Sequence, residues 1–160
     1  KIMDKYAGLR EPGCLISRGA SKVHGLTKRK LTGKNLDKER ILTLLRKSDF
    51  LVSHNARFDY NFIIPLFPEA ATKTWYCSMN GVNWWRNGFS SKGLQNLLID
   101  HGIKVVRSHR ALDDARAVVT LLRKCNIKGK PYLSELLNSK PIVCKISHGI
   151  AATVRKEHQN

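Results

Sequence analysis

The sequence has few acidic residues and lacks the features that mark several common protein classes. Its 160 residues include 29 Lys and Arg but only 12 Asp and Glu, which gives a formal net charge of +17 at pH 7. No apolar run approaches the roughly 20 residues that span a bilayer, since FIIPLF and AVVTLL are both short. The start has no signal-peptide pattern. We therefore expect a soluble, intracellular protein of the cytoplasm without a membrane partner.

Cysteine and histidine occur, but not in metal-binding or redox patterns. The four cysteines form no C-x-x-C pair, which argues against a zinc ribbon or a thioredoxin-like site. The histidines show no H-x-x-x-H spacing, and there is no Gly-rich phosphate loop. Zinc-dependent hydrolysis and nucleoside triphosphate chemistry lose support, and the thiols are interpreted as buried or incidental.

The positive charge is the strongest compositional signal. The isoelectric point is about 10.1, and a field of this sign attracts polyanions, of which nucleic acid is the usual one. Local runs of basic residues occur at 28–34, 46–47, 107–110 and 155–156. A solvated basic surface is the alternative interpretation. We favour nucleic acid because phosphate contacts supply most of the affinity for such partners.

The segment SHRALDDARAVVTLL at 108–122 places one carboxylate on the apolar face of a helix. In a helix that begins near Ala111, Asp114 aligns at three- and four-residue spacing with Ala111 and Val118. Asp113 falls on the face of Arg116, where solvation is ordinary. Only Asp114 is therefore out of place in a structural helix.

The segment LVSHNARFDYNF at 51–62 repeats this pattern. A strand-like stretch at 50–52 precedes a helix from about Arg57, and this helix carries Asp59. The residues aligned with Asp59 are Phe62, Ile63 and Leu66. A carboxylate buried there costs several kcal/mol unless it is paired or bound to a metal. A helix cap or an arginine pair remains the structural alternative for either aspartate.

Together the two strings resemble the second and third signature motifs of the DnaQ-like (DEDDh) 3′-5′ exonuclease family, in the ribonuclease H-like superfamily. The matching strings are LVSHNARFD and, about fifty residues later, HRALDDARAVVTLL. Upstream, ASKVHGLTKRKL at 20–31 resembles the stretch that precedes the second motif. The resemblance covers roughly residues 6–124.

The resemblance implies the catalytic residues and the cofactor. In this family, carboxylates hold two divalent cations, Mg²⁺ or Mn²⁺, about 4 Å apart at the scissile phosphodiester. Asp59 and Asp114 match two of the metal-binding carboxylates. His109 matches the histidine that takes a proton from the attacking water, a function suited to a reference pKa of about 6.5.

Three further residues of the matching segments have expected functions. His24, in VHGLT, matches a family position beside the terminal nucleotide and is a candidate substrate contact, with packing in a helix or turn as the alternative. His54 and Asn55 precede Asp59, and we expect their polar bonds to fix the strand-to-helix turn, in preference to contacting substrate.

The resemblance implies an α/β fold, in which a ribonuclease H-like mixed sheet is flanked by helices. We expect an exonuclease domain over 1–147 and a polar tail over 148–160. One departure is serious, because family members open with a strand carrying Asp-x-Glu, which supplies two of the four carboxylates. Here the segment KIMDKYAGLREPG at 1–13 resembles the third strand and the loop after it. We therefore expect the N-terminal strands to be missing and the fold to be marginally stable or self-associating.

One Asp-x-Glu does occur in this sequence, but it has a different interpretation. Asp37 and Glu39 open GKNLDKERILTLL, in which an acidic first turn precedes apolar residues at helical spacing. Acidic residues favour the start of a helix because they complement its dipole. We therefore predict a helix start and not a replacement for the missing carboxylates.

The C-terminal half carries weaker signals. Residues 72–103 predict a strand, a Gly- and Asn-rich loop and a helix with Leu94, Leu97 and Leu98 on one face. Trp84, Trp85 and Arg86 of the loop have two interpretations, stacking on unpaired bases and packing of at least one tryptophan in the core. A turn and short helix should follow Cys125, and IVCKI should form a further strand.

Three hypotheses for function remain open. The first is a 3′-5′ exonuclease domain that is weak or inactive without the missing motif. It would act on single-stranded 3′ ends of DNA or RNA, with a DNA polymerase or a repair assembly as a partner. The second is a non-catalytic nucleic-acid-binding relative of this fold. The third, a basic structural protein of a ribonucleoprotein, leaves Asp59 and Asp114 unexplained.

Overall fold

The structure is a computed structural model that describes residues 1–104 and 111–142. These ranges contain two strands, eight α-helices and one 3-10 helix. The elements in chain order are α1 (Arg18–His24), α2 (Lys28–Leu31), α3 (Lys38–Lys47), β1 (Phe50–Ser53), α4 (Ala56–Ile63), the 3-10 helix (Pro68–Thr72), β2 (Thr74–Cys77), α5 (Ser78–Gly81), α6 (Leu94–Asp100), α7 (Ala111–Leu122) and α8 (Tyr132–Leu137).

The described sheet consists of β1 and β2, which pair in parallel with Phe50 opposite Thr74 and Ser53 opposite Cys77. Both strands are short runs of aromatic, apolar and small polar residues, which suit a pleated, half-buried surface. Helix α4 and the 3-10 helix form the crossover that a parallel pair requires. The N–H of Ile142 donates to the carbonyl of Trp75 at 2.8 Å in an antiparallel bridge. The two described strands thus form a parallel sheet, with one isolated antiparallel bridge at Trp75.

The two faces of the sheet bury two separate hydrophobic cores. Because side chains alternate along a strand, Val52 and Tyr76 face one side, whereas Leu51 and Trp75 face the other. The α7-side core contains Val82, Trp84, Leu97, Leu98, Ala117, Val118, Leu121, Leu122, Tyr132 and Leu136. The α4-side core contains Leu45, Ala56, Tyr60, Ile64, Phe67, Ala70, Trp75 and Cys77. Helices therefore cover both faces, as the resemblance implies, and the predicted α/β fold class is confirmed.

The predicted helix start at Asp37 is also confirmed. Asp37 is the N-cap of α3, and its carboxylate accepts a hydrogen bond from the N–H of Arg40 at 2.9 Å. Glu39 lies in the first turn, and Arg46 and Lys47 lie in the last turn, so charges of both signs complement the helix dipole. The Asp-x-Glu of this chain is thus structural.

The strand expected within residues 1–13 is not formed, and this prediction was wrong. The segment instead lies along the start of α3, where Asp4 pairs with Arg40 and the Tyr6 hydroxyl accepts from the N–H of Asp37 at 2.8 Å. A strand forms only where a neighbour pairs with its N–H and C=O groups, and the described sheet places no strand beside this segment.

Several smaller predictions have clear outcomes. Helices α6 and α8 form where the sequence predicts them, and Trp84 packs in the core at 1% exposure. Among the described residues, no helix is long and apolar enough to cross a bilayer. The predicted strand IVCKI is described only at Ile142, and the predicted polar tail at 148–160 lies outside the described residues.

Candidate active site

Asp59 lies immediately beyond the carboxyl end of β1. The strand ends at Ser53, and Asp59 occupies the first turn of α4. The hydroxyl of Ser53 donates to Oδ2 of Asp59. A carboxylate in the first helical turn is also favoured by the helix dipole. The Ser53 hydroxyl therefore ties one oxygen of this carboxylate to the end of β1.

The burial of Asp59 differs from the sequence prediction. The buried residues on one side of α4 are Ala56 and Tyr60, and Ile64 directly after the helix is buried as well, whereas Asp59 is half-buried and Phe62 is 61% exposed. The expected core-facing position was therefore wrong for Phe62, whereas Ile63 and Leu66, which were aligned with Asp59 as well, are partly buried against the α4-side core. The helical period was right, but the sheet lies against positions 56, 60 and 64, which places Asp59 at the boundary of the core.

Asp114 lies in the first turn of α7, on the side that faces the α7-side core. The residues three and four positions later, Ala117 and Val118, are both buried, and the Oδ1 atom of Asp114 is itself buried. Asp113 forms an ion pair with Arg116, with 3.6 Å between Oδ1 and Nη1. The predicted difference between the two neighbouring aspartates is confirmed.

His54 holds the turn between β1 and α4. Its ring is buried, and Nε2 lies 2.8 Å from the carbonyl oxygen of Lys92, which only accepts hydrogen bonds. Nε2 therefore carries the proton, and Nδ1 of the neutral ring accepts from the hydroxyl of Ser78 at 3.0 Å. The carbonyl of Ser78 accepts in turn from Nε1 of Trp84 at 2.8 Å. The expected structural function of His54 agrees with these contacts.

Burial lowers the pKa of His54 below its ordinary value. The hydrogen bond to the carbonyl of Lys92 and the negative charge of Asp59 act in the opposite direction but do not outweigh burial. The folded protein therefore favours the neutral ring, which is the form that the contacts with Lys92 and Ser78 require.

We expect the free energy of unfolding to fall as the pH decreases below about 6.5, the ordinary histidine value. Below that pH the unfolded state binds a proton at His54, whereas the folded state, with its lower pKa, does not. The stabilisation is therefore complete above about pH 6.5, and it is lost as the pH falls towards the pKa of His54 in the folded state. Urea unfolding of wild type and His54→Gln at a series of pH values measures this component. The variant should lack this pH-dependent component. Equal slopes in wild type and His54→Gln would contradict the assignment.

Three other residues were predicted to belong to the site, namely Asn55, His24 and His109. Asn55 is the N-cap of α4, but its side chain makes no capping hydrogen bond, so the expected polar bond of Asn55 at this turn is not formed. His24 ends α1, and its Nδ1 accepts from the N–H of Leu26 at 3.0 Å, which agrees with the alternative of packing in a turn. His109 lies outside the described residues.

A cleft of about 540 Å³ opens at the carboxyl ends of β1 and β2. Asn55 and Arg57 line it beside β1, Asn80 lines it beyond β2, and Lys140 faces them from the chain after α8. Ligands of open α/β sheets bind at the carboxyl ends of the strands. Two cations and two amides in this position suit a phosphate-bearing ligand.

The carboxylates meet only part of the requirement for a pair of divalent cations. Asp59 and Asp114 offer the oxygen ligands that Mg²⁺ prefers, and one or two carboxylates suffice for a single hydrated ion bound together with a phosphate. Within the described part of the chain, however, no group of three or more His, Cys, Asp or Glu side chains has metal-binding geometry. The described carboxylates alone are therefore too few to bind a pair of divalent cations.

Sequence reasoning missed three residues that build this site. Ser53 orients Asp59, whereas Ser78 and the carbonyl of Lys92 fix the His54 ring. Ser53 precedes His54 within the second motif, and a hydroxyl at a strand end beside a carboxylate is a signal that the sequence does carry. Ser78 and Lys92 are distant in sequence, so no local pattern indicates them.

The small parallel sheet between helical layers, with aspartates at the starts of α4 and α7, agrees with the class of ribonuclease H-like α/β domains. The sequence model of the family described as Exonuclease matches residues 2–122. The match covers more than half of the chain and includes both aspartate-bearing helices. The chain belongs to this exonuclease family, and the resemblance inferred from the two motifs is confirmed.

Two proteins with similar sequences are DNA polymerases. A PolC-type DNA polymerase III of Thermotoga petrophila is 29% identical over 164 residues, covering 89% of this chain and 11% of the polymerase. The PolC-type DNA polymerase III of Thermotoga maritima is 27% identical over 173 residues, covering 91% of this chain and 12% of the polymerase. The chain thus spans about an eighth of the length of these relatives or less.

Proposed function

We propose that this domain hydrolyses phosphodiester bonds at the 3′ ends of nucleic acid with divalent cations. The observation that carries the proposal is the position of Asp59, which begins α4 directly after β1 with its carboxylate oriented by Ser53. Asp114 supports it, because it begins α7 on the side of the α7-side core and its carboxylate oxygens are ligands that Mg²⁺ prefers. Net positive charge supports a polyanionic substrate.

Each residue then has a defined function. Asp59 and Asp114 each offer a carboxylate to the metal site, and His109 accepts the proton of the attacking water. Bound cations supply charge neutralisation at the phosphodiester. Arg57 and Lys140, in the cleft at the strand ends, hold the phosphate backbone. His24 is the candidate contact to the terminal nucleotide.

We infer a partner and a setting from the relatives. Both are PolC-type DNA polymerases, which favours DNA as the substrate and a polymerase as the protein with which the domain acts. The working location would then be the cytoplasm. The alternative function is nucleic-acid binding without catalysis, which the small number of carboxylates favours. Under that alternative, binding does not depend on His109 or Asp114.

A nuclease assay on this chain tests the proposal. With Mn²⁺ and a 5′-labelled single strand, we expect slow, stepwise shortening from the 3′ end, because two carboxylates hold cations poorly. A strand with a blocked 3′ end should remain intact, and excess chelator should stop the reaction. Shortening of the blocked strand would contradict 3′ specificity, and rapid turnover would contradict the expected weakness. Tight binding with no shortening at all would favour the non-catalytic alternative.

A further inference from the structure

The loop after α5 presents one tryptophan to solvent and buries the other. Trp84 is 1% exposed, whereas the neighbouring Trp85 is 61% exposed. The turn is tight, since the N–H of Gly88 donates to the carbonyl of Trp85 at 3.0 Å and the N–H of Phe89 donates to the carbonyl of Trp84 at 3.0 Å. Trp85 is thus an exposed aromatic ring on a backbone that its buried neighbour anchors.

Three exposed cations line a cavity of about 270 Å³, and the first of them directly follows Trp85 in the chain. Arg86, Lys128 and Lys130 line this cavity. Within residues 1–104 and 111–142, none of the three forms an ion pair. Glu135 is the one carboxylate of the lining, so the local charge is strongly positive and complements a phosphate backbone.

Glu135 fixes both loops that carry this surface. Its Oε1 accepts from the N–H of Asn83 at 2.8 Å, and its Oε2 accepts from the side-chain amides of Asn87 at 3.2 Å and Asn126 at 3.1 Å. The N–H of Ile127 also donates to Oδ1 of Asn87 at 3.3 Å. The loop of Trp85 and the loop of the two lysines therefore form one unit.

The lysine loop is ordered in the same way. The side-chain oxygen of Asn126 accepts from the N–H of Lys128 at 2.9 Å and from the N–H of Lys130 at 3.1 Å. Gly129 adopts a φ of 72°, a left-handed conformation that favours glycine. Both lysine backbones are thus held in place before any ligand binds, which reduces the entropic cost of binding.

The half-buried carboxylate of Glu135 remains charged in this arrangement. Burial alone raises the pKa of Glu135, but the hydrogen bonds from Asn83, Asn126 and Asn87, together with the nearby Arg86, outweigh it and lower the pKa. The charge of Glu135 is therefore committed to the amides that hold the loops.

We propose that Trp85, Arg86, Lys128 and Lys130 form a binding surface for single-stranded nucleic acid, in which a base stacks on Trp85 and the cations contact phosphates. This proposal rests on the proposed function in one respect, since that function makes the bound strand the substrate of the domain. An exposed aromatic beside a positively charged groove is the combination that holds unpaired strands without sequence preference. Binding here would hold the strand outside the carboxylate site, and Glu135 is a positioning residue.

Fluorescence anisotropy with a labelled oligo(dT) of about 12 nucleotides tests the surface. Chelator is present, so that binding is measured without hydrolysis. Trp85→Ala should weaken binding about fivefold or more, and Trp85→Phe should retain most of the affinity, because stacking on one base contributes about 1–3 kcal/mol. Ile99→Ala, at a side chain that is 75% exposed on α6, is the control and should bind as wild type. Equal affinities of Trp85→Ala and wild type would overturn the proposal.

Two further variants distinguish the contribution of the lysine charges from that of the loop conformation. Replacing Lys128 and Lys130 with alanine should reduce the salt dependence of log K by about 0.7 for each lost phosphate contact, whereas Lys47→Ala on α3 should leave it unchanged. Glu135→Ala removes a negative charge, so a purely electrostatic surface would bind more tightly. We expect weaker binding, because the loops lose their common anchor. Tighter binding would overturn the positioning function of Glu135.

The outcome is independent of the nuclease assay. If no hydrolysis occurs but oligo(dT) binding depends on Trp85, the surface stands and the catalytic proposal fails. If hydrolysis occurs and Trp85→Ala changes neither binding nor salt dependence, the surface fails alone. Trp85→Ala that instead loses affinity for an acidic peptide, and not for oligo(dT), would identify a protein partner and overturn the nucleic-acid assignment.

Discussion

Asp114→Asn is expected to reduce Mn²⁺-dependent shortening of a single strand at least about 100-fold. The substitution keeps the shape of the side chain but removes the negative charge that attracts the cation. Carboxylate-held cations contribute several kcal/mol of transition-state stabilisation, and each 1.36 kcal/mol is about tenfold in rate. Asp59→Asn should have an effect of the same order. The rates should be measured by single-turnover kinetics, since the wild-type chain is expected to turn over slowly.

The matched control is Asp113→Asn, one position from Asp114 in the same helical turn. Its carboxylate faces Arg116 at 3.6 Å and has a half-buried, solvent-accessible side chain, so its loss should change the rate less than about twofold. Circular dichroism should show the same helical content for all three variants. Equal rates in Asp113→Asn and Asp114→Asn would mean that position 114 carries no catalytic charge.

Trp84→Ala is expected to remove about 3–5 kcal/mol from the free energy of unfolding. The ring fills the α7-side core, where its centroid lies 4.8 Å from that of Tyr132. Its Nε1 also donates to the carbonyl of Ser78, and this buried acceptor loses its donor in the variant. Because domains of this size have about 5–15 kcal/mol in total, Trp84→Ala should lose a large fraction of its stability.

Urea unfolding followed by circular dichroism measures the loss. Trp85→Ala is the control, since the neighbouring ring is exposed and its removal should change stability by less than about 0.5 kcal/mol. If Trp84→Ala is too unstable to purify, Trp84→Phe should still show a smaller loss in the same direction. Similar stabilities of Trp84→Ala and Trp85→Ala would show that the core does not depend on this ring.

The parts of the fold that could be predicted from sequence are those with a local signal. The period of apolar residues located α7, and the acidic first turn at Asp37 located the start of α3. Two short motifs indicated Asp59 and Asp114, because a carboxylate at an apolar helical position conflicts with the pattern around it. These features depend on residues within a few turns of one another, which is the range of sequence patterns.

The features that could not be predicted depend on contacts between distant segments. Whether residues 1–13 form a strand is decided by a pairing neighbour. Helical spacing placed Asp59 and Phe62 on one side of α4, but it could not show that the sheet would cover Ala56 and Tyr60 and leave Phe62 exposed. The burial of Trp84 and exposure of Trp85 likewise follow from the packing of α6 and α8 around the loop.

The division of the interior into two cores gives the domain two separate optical signals for its folding. Trp75 lies in the α4-side core, with its ring 5.4 Å from that of Tyr60, and Trp84 lies in the α7-side core. Two strands of four residues each lie between them. The two layers meet at this short ladder, and each of them contains one buried tryptophan.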